Sequence, residues 1–208
     1  MFIPSPKTVT LASFFVVAAA LCVVGCDKTE SATAAAPPAT MPAMADGKAQ
    51  AETGDGSQWL GKTVTPFTLT DSDGKTVNLA DSLGKEPVVL VFYRGSWCPF
   101  CAAQLKELAA AKEKIAASGA KVYAISNEGA AELNKMKSGT NLDFATFLSD
   151  PEAKAAQQFG GTYPDKPVLK PVTLVIGKNG KVVYAYTNEN YEVRATTDAV
   201  LNALAKAK

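Results

Sequence analysis

The chain has 208 residues, of which 47% are hydrophobic, so one ordinary domain can fill a core without disulfide bonds holding it together. Its net charge is +1, from 21 basic and 20 acidic residues spread along the chain, and it lacks the basic stripe expected of a nucleic-acid-binding protein. Histidine is absent, which excludes histidine-ligated zinc, cysteine–histidine nucleophile pairs and histidine-ligated haem.

The beginning of the chain has the pattern of an export signal, with a positive charge at Lys7 and an apolar run at 9–24. The run is short for a membrane-spanning helix, which needs roughly 20 apolar residues. The residues before Cys26 resemble a bacterial lipobox, where cleavage precedes a cysteine that becomes lipid-modified, although Val23 stands where leucine is usual. We predict a signal peptide at 1–25 and a lipid on Cys26, with export to the periplasmic side of a membrane in the bacterial cell envelope. An ordinary signal peptide or an uncleaved anchor is the alternative.

The stretch 26–57 is rich in alanine, proline, threonine, serine and glycine and has no apolar periodicity. Pro37, Pro38 and Pro42 oppose a long helix there. We predict a disordered, lipid-anchored linker that carries the following domain, 58–208.

Strand and helix patterns alternate within this domain. Asp73-Gly74 and Asn179-Gly180 are typical of hairpin turns, and the continuous apolar run 87–93 indicates a strand buried on both faces. The predicted strands lie at 66–70, 75–79, 87–93, 121–126, 144–148, 172–176 and 182–186, and the predicted helices at 99–117, 129–137, 151–159 and 196–207. This alternation predicts an α/β domain whose mixed central sheet has helices on both faces.

Four cysteines are present, of which Cys22 lies in the predicted signal peptide and Cys26 is assigned to lipid. Cys98 and Cys101 remain, with two residues between them, at the junction of the buried strand and the helix that begins near Pro99. The unpaired N–H groups and the positive dipole end at a helix start favour a thiolate. We predict that the pair alternates between dithiol and disulfide, with Cys98 as the exposed nucleophile and Cys101 shielded behind it.

Other uses of a Cys-x-x-Cys unit fit less well. A structural disulfide across so short a loop would constrain little of the unfolded chain. Zinc needs four ligands, and c-type haem needs a histidine at position 102, where alanine stands. We therefore predict neither a metal nor a cofactor.

Two stretches of the chain together form a recognisable pattern. The first reads Phe92-Tyr93-Arg94-Gly95-Ser96-Trp97-Cys98-Pro99-Phe100-Cys101 and continues through 104–108. The second comprises 171–176 and 184–188, followed by Tyr191 and Arg194. Both stretches resemble the peroxiredoxin-like branch of the AhpC/TSA family. The similarity spans about 60–206 and implies a thioredoxin-like fold with antioxidant thiol chemistry.

The chain departs from the peroxiredoxin pattern Pro-x-x-x-Thr-x-x-Cys, which is followed later by an activating arginine. Placing Cys101 at the peroxidatic cysteine puts Cys98 at the threonine, Arg94 at the proline and Pro171 at the arginine. Three of the four positions are therefore altered. Pro171 instead resembles the cis proline that lies against the cysteine pair in thioredoxin-like disulfide reductases; the alternative is an ordinary proline at a strand start.

Two further residues of the motif are candidates for the site. Arg94 is predicted to lower a thiolate pKa or to bind substrate, with a structural ion pair as the alternative. Trp97 is predicted either to form a substrate-facing surface or to pack in the core. Tyr191 and Arg194 have no chemical argument in their favour beyond the resemblance.

Three functions follow from these observations. The first is reduction of peroxides by the cysteine pair, with an external thiol reductant such as a thioredoxin-like protein restoring the dithiol. The second is reduction of protein disulfides, in which Cys98 attacks and Cys101 resolves the mixed disulfide. The third is a non-enzymatic binding module tethered to the membrane. No nucleic-acid partner is predicted.

Overall fold

A computed structural model describes residues 55–208. The predicted signal peptide, Cys26 and the linker as far as residue 54 lie outside the described residues. Residues 55–57, which the predicted linker included, are attached to the domain: Asp55 N donates to Thr187 O at 2.8 Å, and a 3₁₀ helix follows at Ser57–Trp59. From residue 55 onward, none of the helices combines the length and the apolar character that crossing a bilayer requires.

A mixed sheet of seven strands forms the centre of the described domain. Its strands are β1 (Thr68–Asp71), β2 (Thr76–Asn78), β3 (Val88–Phe92), β4 (Lys121–Ser126), β5 (Thr146–Ser149), β6 (Val172–Ile176) and β7 (Val182–Thr187). The spatial order is β2-β1-β5-β4-β3-β6-β7. Strands β3, β4 and β5 run parallel, whereas the β1–β2 and β6–β7 hairpins extend the two edges in antiparallel fashion.

Strand β3 lies between β4 and β6, and all five of its residues are buried. Because successive side chains of a strand point to opposite faces, Val89 and Val91 join one core cluster while Val88, Leu90 and Phe92 join the other. The continuous apolar run therefore fills two cores at once, which confirms the predicted buried strand.

Helices cover both faces of the sheet, as predicted. The described helices are α1 (Pro99–Ala110), α2 (Lys112–Ala117), α3 (Ala130–Thr140), α4 (Lys154–Gln157) and α5 (Thr197–Lys206). Helices α1, α2, α3 and α5 pack on the face that carries Val89 and Val91. The short helix α4 and a 3₁₀ helix at Leu79–Asp81 cover the opposite face.

Three helix predictions differ from the structure. The predicted helix 99–117 is interrupted at Ala111, whose ψ of 13° breaks the helical path. The predicted helix 129–137 continues to Thr140 and ends where Asn141 adopts a left-handed conformation. The predicted helix 151–159 shrinks to α4, because the chain turns at Ala153 with a φ of 56° before the helix begins.

The N-terminus of α5 gives a direct test of local stability. Thr196 caps the helix, since its Oγ1 accepts the Ala199 N–H at 3.2 Å. Thr196→Ala removes that acceptor and is expected to lower the free energy of unfolding by about 1 kcal/mol in urea denaturation. Thr197→Ala is the matched control, because the buried Thr197 Oγ1 has no hydrogen-bond partner within residues 55–208. An equal loss in both variants would show that the cap is not the cause.

Candidate active site

The two cysteines lie where β3 passes into α1. Cys98 is the N-cap of α1, with extended backbone, and its Sγ accepts the Cys101 N–H at 3.3 Å. Pro99 occupies the first turn, where its missing N–H removes no helical hydrogen bond. The local sequence thus sets both sulfurs at the positive end of the helix, where the peptide dipoles favour negative charge.

Cys98 and Cys101 form a disulfide with their Cα atoms 5.3 Å apart. Both side chains are buried, with 1% and 0% of their surface exposed. The expectation that Cys98 is an exposed nucleophile is therefore wrong for the disulfide form. Its sulfur is turned into the first helical turn, where it bonds Cys101 and packs within the core cluster.

A buried guanidinium faces this disulfide. Arg194 is 1% exposed, and its Nη2 lies 3.4 Å from Cys101 Sγ and 3.7 Å from Cys98 Sγ. Its Nη1 donates to Val193 O at 3.1 Å. Burial lowers the pKa of Arg194 to about 10, with the nearby Arg94 charge as a smaller cause, so it stays protonated at neutral pH. A fixed cation at this distance favours the thiolate form of either cysteine.

Arg194 lies on the connection 188–196 between β7 and α5, and buried polar contacts hold this connection in place. Gln104 Nε2, on α1, donates to Thr173 Oγ1 at 3.1 Å and to Ala195 O at 3.4 Å. Gln104 therefore ties the residue next to Arg194 to the helix that carries Cys101. These buried hydrogen bonds fix the backbone next to Arg194 and so limit the positions that its guanidinium can adopt.

Sequence reasoning missed the position of Arg194, although a signal was present. The chain contains two arginines, Arg94 and Arg194, and the position of the family arginine holds Pro171. A guanidinium at the cysteines had to come from one of these two residues. The hydrogen-bond distances identify Arg194.

Arg94 lies between two aromatic rings near the site. Its guanidinium carbon is 4.0 Å from the ring centroid of Tyr191 and 4.9 Å from that of Trp97. Among residues 55–208 no carboxylate forms an ion pair with Arg94, so the alternative of a structural ion pair does not hold. Trp97 is 56% exposed, which excludes core packing, and Tyr191 also contacts Phe100 edge-on at 6.0 Å. These side chains form a cationic and aromatic surface beside the buried disulfide.

Pro171 is buried directly before β6, and its carbonyl accepts a hydrogen bond from Thr187 Oγ1 at 3.1 Å. The next residue, Val172, pairs with Phe92 at the end of β3. Pro171 therefore lies at the same edge of the sheet as the loop that leads to the cysteines. Its reductase-like role stays a prediction.

Glu128 fixes the loop before Cys98. Its carboxylate accepts the Ser96 backbone N–H at 2.6 Å and the Ser96 hydroxyl at 3.1 Å. Glu128 is itself anchored, because its carbonyl accepts from Ser149 Oγ at 2.7 Å. A Cβ at Gly95 would lie 2.4 Å from Trp97 Nε1 and 2.9 Å from the Glu128 carboxylate, so a larger residue there would displace the Trp97 ring, the Glu128 carboxylate or both. Beneath the loop, burial raises the pKa of Tyr93, which keeps its phenol neutral.

Comparison with known proteins relates this domain to proteins named peroxiredoxins. The AhpC/TSA family matches residues 60–185. The protein named Peroxiredoxin Q, chloroplastic, of Oryza sativa subsp. japonica is 36% identical over 135 residues, which cover 62% of this chain and 59% of the rice protein. Peroxiredoxin Q of Sedum lineare is 32% identical over 154 residues, covering 71% and 78% of the two chains. The match thus spans about three fifths of the length of the rice relative.

Bacterial relatives cover more of their own length. Peroxiredoxin Bcp of Escherichia coli (strain K12) is 27% identical over 151 residues, or 69% of this chain and 94% of that protein. The crystal structure of peroxidoxin BcpB from Mycobacterium tuberculosis superposes with a TM-score of 0.63 at 27% identity, covering 72% of this chain and 97% of the other. The peroxiredoxin-like protein from Aquifex aeolicus has the same TM-score at 17% identity and supports the fold alone.

The Glu128 clamp predicts a measurable asymmetry between two variants. Glu128→Ala leaves the Ser96 N–H without its charged acceptor, and we expect it to lower the free energy of unfolding of the oxidised protein by about 2 kcal/mol. Ser96→Ala removes only the longer hydroxyl contact and is expected to cost about half as much. Urea denaturation followed by circular dichroism measures both. Equal costs, or a larger cost for Ser96→Ala, would contradict the clamp.

Proposed function

This chain belongs to the AhpC/TSA family, and from that premise we propose that it is a thiol peroxidase in which Cys101 reduces peroxides and Cys98 resolves the oxidised product. The observation that carries the proposal is the Arg194 guanidinium, 3.4 Å from Cys101 Sγ and 3.7 Å from Cys98 Sγ. Together with the N-terminus of α1, this cation holds the sulfur as the reactive thiolate at neutral pH.

The first step of the proposed reaction oxidises Cys101. Its thiolate attacks one oxygen of a peroxide ROOH, so that an S–O bond forms while the O–O bond breaks. Cys101 becomes a sulfenic acid, and the other half of the peroxide takes up a proton and leaves as ROH. Arg194 contributes by stabilising the thiolate before attack.

The second step uses Cys98. Its thiol attacks the sulfur of the Cys101 sulfenic acid, an S–S bond forms, and water is released. The disulfide in the structure, with Cα atoms 5.3 Å apart, is the product that this step requires. An external reductant with two thiols, such as a thioredoxin-like protein, then restores the dithiol and leaves as a disulfide.

Burial of the sulfurs favours peroxides over protein disulfides as substrates. With Cys98 1% exposed in the disulfide form, a small molecule reaches the sulfurs more easily than a protein does, and a protein reductant has to open the first turn of α1 before it recycles the pair. A peroxide is small and needs only a narrow opening to reach a buried sulfur. The reductase hypothesis requires an accessible Cys98. The third hypothesis, a binding module, does not explain why a guanidinium lies beside the two sulfurs.

The proposal extends to where the enzyme works. We propose that residues 1–25 direct export and that Cys26 carries the lipid that anchors the domain to a membrane of the bacterial cell envelope. The support is the sequence pattern, in which an apolar run with a basic residue before it leads into a lipobox-like cysteine. The linker, as far as residue 54, would then hold the peroxidase domain near lipid, which is a source of organic peroxides.

Two cysteine variants test the proposed chemistry. The full chain carrying Cys22→Ser and Cys26→Ser keeps Cys98 and Cys101 as its thiols, and serves as the reference. Cys101→Ser in this background is expected to abolish consumption of hydrogen peroxide in stopped-flow measurements. Cys98→Ser is expected to retain a single turnover, giving a sulfenic acid that dimedone traps, while losing thiol-driven turnover because the resolving step is absent.

Insulin reduction by the same reference protein tests the competing hypothesis. We expect no acceleration over the uncatalysed rate. Rapid insulin reduction that depends on Cys98, with slow peroxide consumption, would replace the peroxidase with the reductase. Redox inertness of the reference protein in both assays would leave only the binding module.

The lipid anchor has its own test. When the natural sequence is expressed in a bacterium fed labelled palmitate, the label is expected in the protein and the protein in the membrane fraction. Cys26→Ser is expected to abolish the label and to release the mature domain, whereas Cys22→Ser is the control that changes neither. Labelling that survives Cys26→Ser would show that this cysteine is not the anchor.

A further inference from the structure

Arg194 is a buried cation whose charge is not balanced in the disulfide form. Within residues 55–208 it forms no ion pair with a carboxylate, and its Nε has no hydrogen-bond partner. Its Nη2 faces only the two sulfurs of the disulfide, which are neutral and weak acceptors. Burying a charge that has no ion-pair partner is unfavourable, so the disulfide form carries an electrostatic cost, which the negative charge of Glu192 on the same connection reduces.

Reduction changes the partner of this cation. When the disulfide accepts two electrons, one sulfur at the N-terminus of α1 becomes a thiolate beside the guanidinium. The same buried arginine then has an anionic partner 3.4 to 3.7 Å away. The reduced form therefore gains an ion pair that the oxidised form lacks.

The disulfide itself contributes little to the stability of the folded domain. Cys98 and Cys101 are separated by three positions, so the bond removes little freedom from the unfolded chain. The usual rule that oxidation stabilises a domain is therefore expected to be reversed here. A folded protein that is more stable when reduced has a disulfide that is readily reduced, because the stability difference and the redox equilibrium are linked.

We propose that Arg194 makes the Cys98–Cys101 disulfide a strongly oxidising one, so that a mildly reducing thiol is sufficient to recycle the enzyme. This inference rests on the proposed function and adds the class of its reductant. In the recycling step two thiols RSH each lose one electron and one proton, and an RS–SR bond forms as the Cys98–Cys101 bond breaks. The electrons pass to the two cysteine sulfurs, one of which stays unprotonated beside Arg194.

Equilibrium with glutathione and glutathione disulfide measures the effect. The full chain with Cys22→Ser and Cys26→Ser is compared with the same chain also carrying Arg194→Met. The variant is expected to favour the disulfide at least tenfold more than the reference, a shift of about 30 mV for a two-electron couple. Arg194→Lys, which keeps a positive charge, is expected to restore part of the difference.

Lys112→Met is the matched control, because Lys112 is an exposed cation whose ammonium group is paired with Asp143. We expect it to change the equilibrium less than twofold. An unchanged equilibrium in Arg194→Met, or an equal change in Lys112→Met, would overturn the proposal.

A second measurement needs no substitution at Arg194. Urea denaturation of the reference protein is expected to give a higher midpoint for the reduced form than for the disulfide form. A more stable disulfide form would overturn the proposal even if Arg194→Met failed to fold.

The outcomes separate this inference from the proposed function. A glutathione equilibrium that depends on Arg194, without peroxide consumption, would support the inference and defeat the peroxidase. Peroxide consumption together with a glutathione equilibrium that does not depend on Arg194 would support the peroxidase and overturn the inference.

Discussion

The site depends on one electrostatic constraint, which is that the buried guanidinium of Arg194 needs an anion and the cysteine sulfurs can supply it. The constraint operates from two sides, because Cys98 Sγ accepts the Cys101 N–H in the first turn of α1 and also faces the Arg194 guanidinium. The helix supplies the peptide dipole, and the 188–196 connection supplies the cation. The chemistry therefore arises from the way the 188–196 connection is docked on α1, which Gln104 and the core maintain.

The sheet places the parts of the site at one edge. Strand β3 ends at Phe92 beside Val172, the first residue of β6, and beside Ile125, near the end of β4. The connections at this end of the three strands carry Cys98, Pro171 and Glu128 respectively. Strand β3, buried on both faces, thus positions these connections relative to one another, and Glu128 fixes the loop before the cysteines through its two contacts with Ser96.

Local sequence patterns were enough to predict most of the fold and, within the site, the cysteine pair. The apolar run at 87–93, the Asp73-Gly74 and Asn179-Gly180 turns and the Cys-x-x-Cys unit each act within a few residues, so sequence alone placed the central strand, both hairpins and the cysteines. Contacts between distant residues escaped prediction. Arg194 is 93 positions from Cys101, and the burial of Cys98 depends on packing that no local pattern encodes. The helix break at Ala111 could not be predicted, because no glycine or proline lies at that position.

The position of the guanidinium has a consequence for how such chains are compared. At the start of β6, where the family arginine belongs, this chain has Pro171, and the charge arrives instead from the turn before the last helix. In this chain a different stretch of backbone supplies the positive charge beside the sulfurs. A column-by-column alignment would record the residue as lost. When a related chain lacks arginine at the aligned position, its three-dimensional structure shows whether another arginine lies beside the cysteine sulfurs.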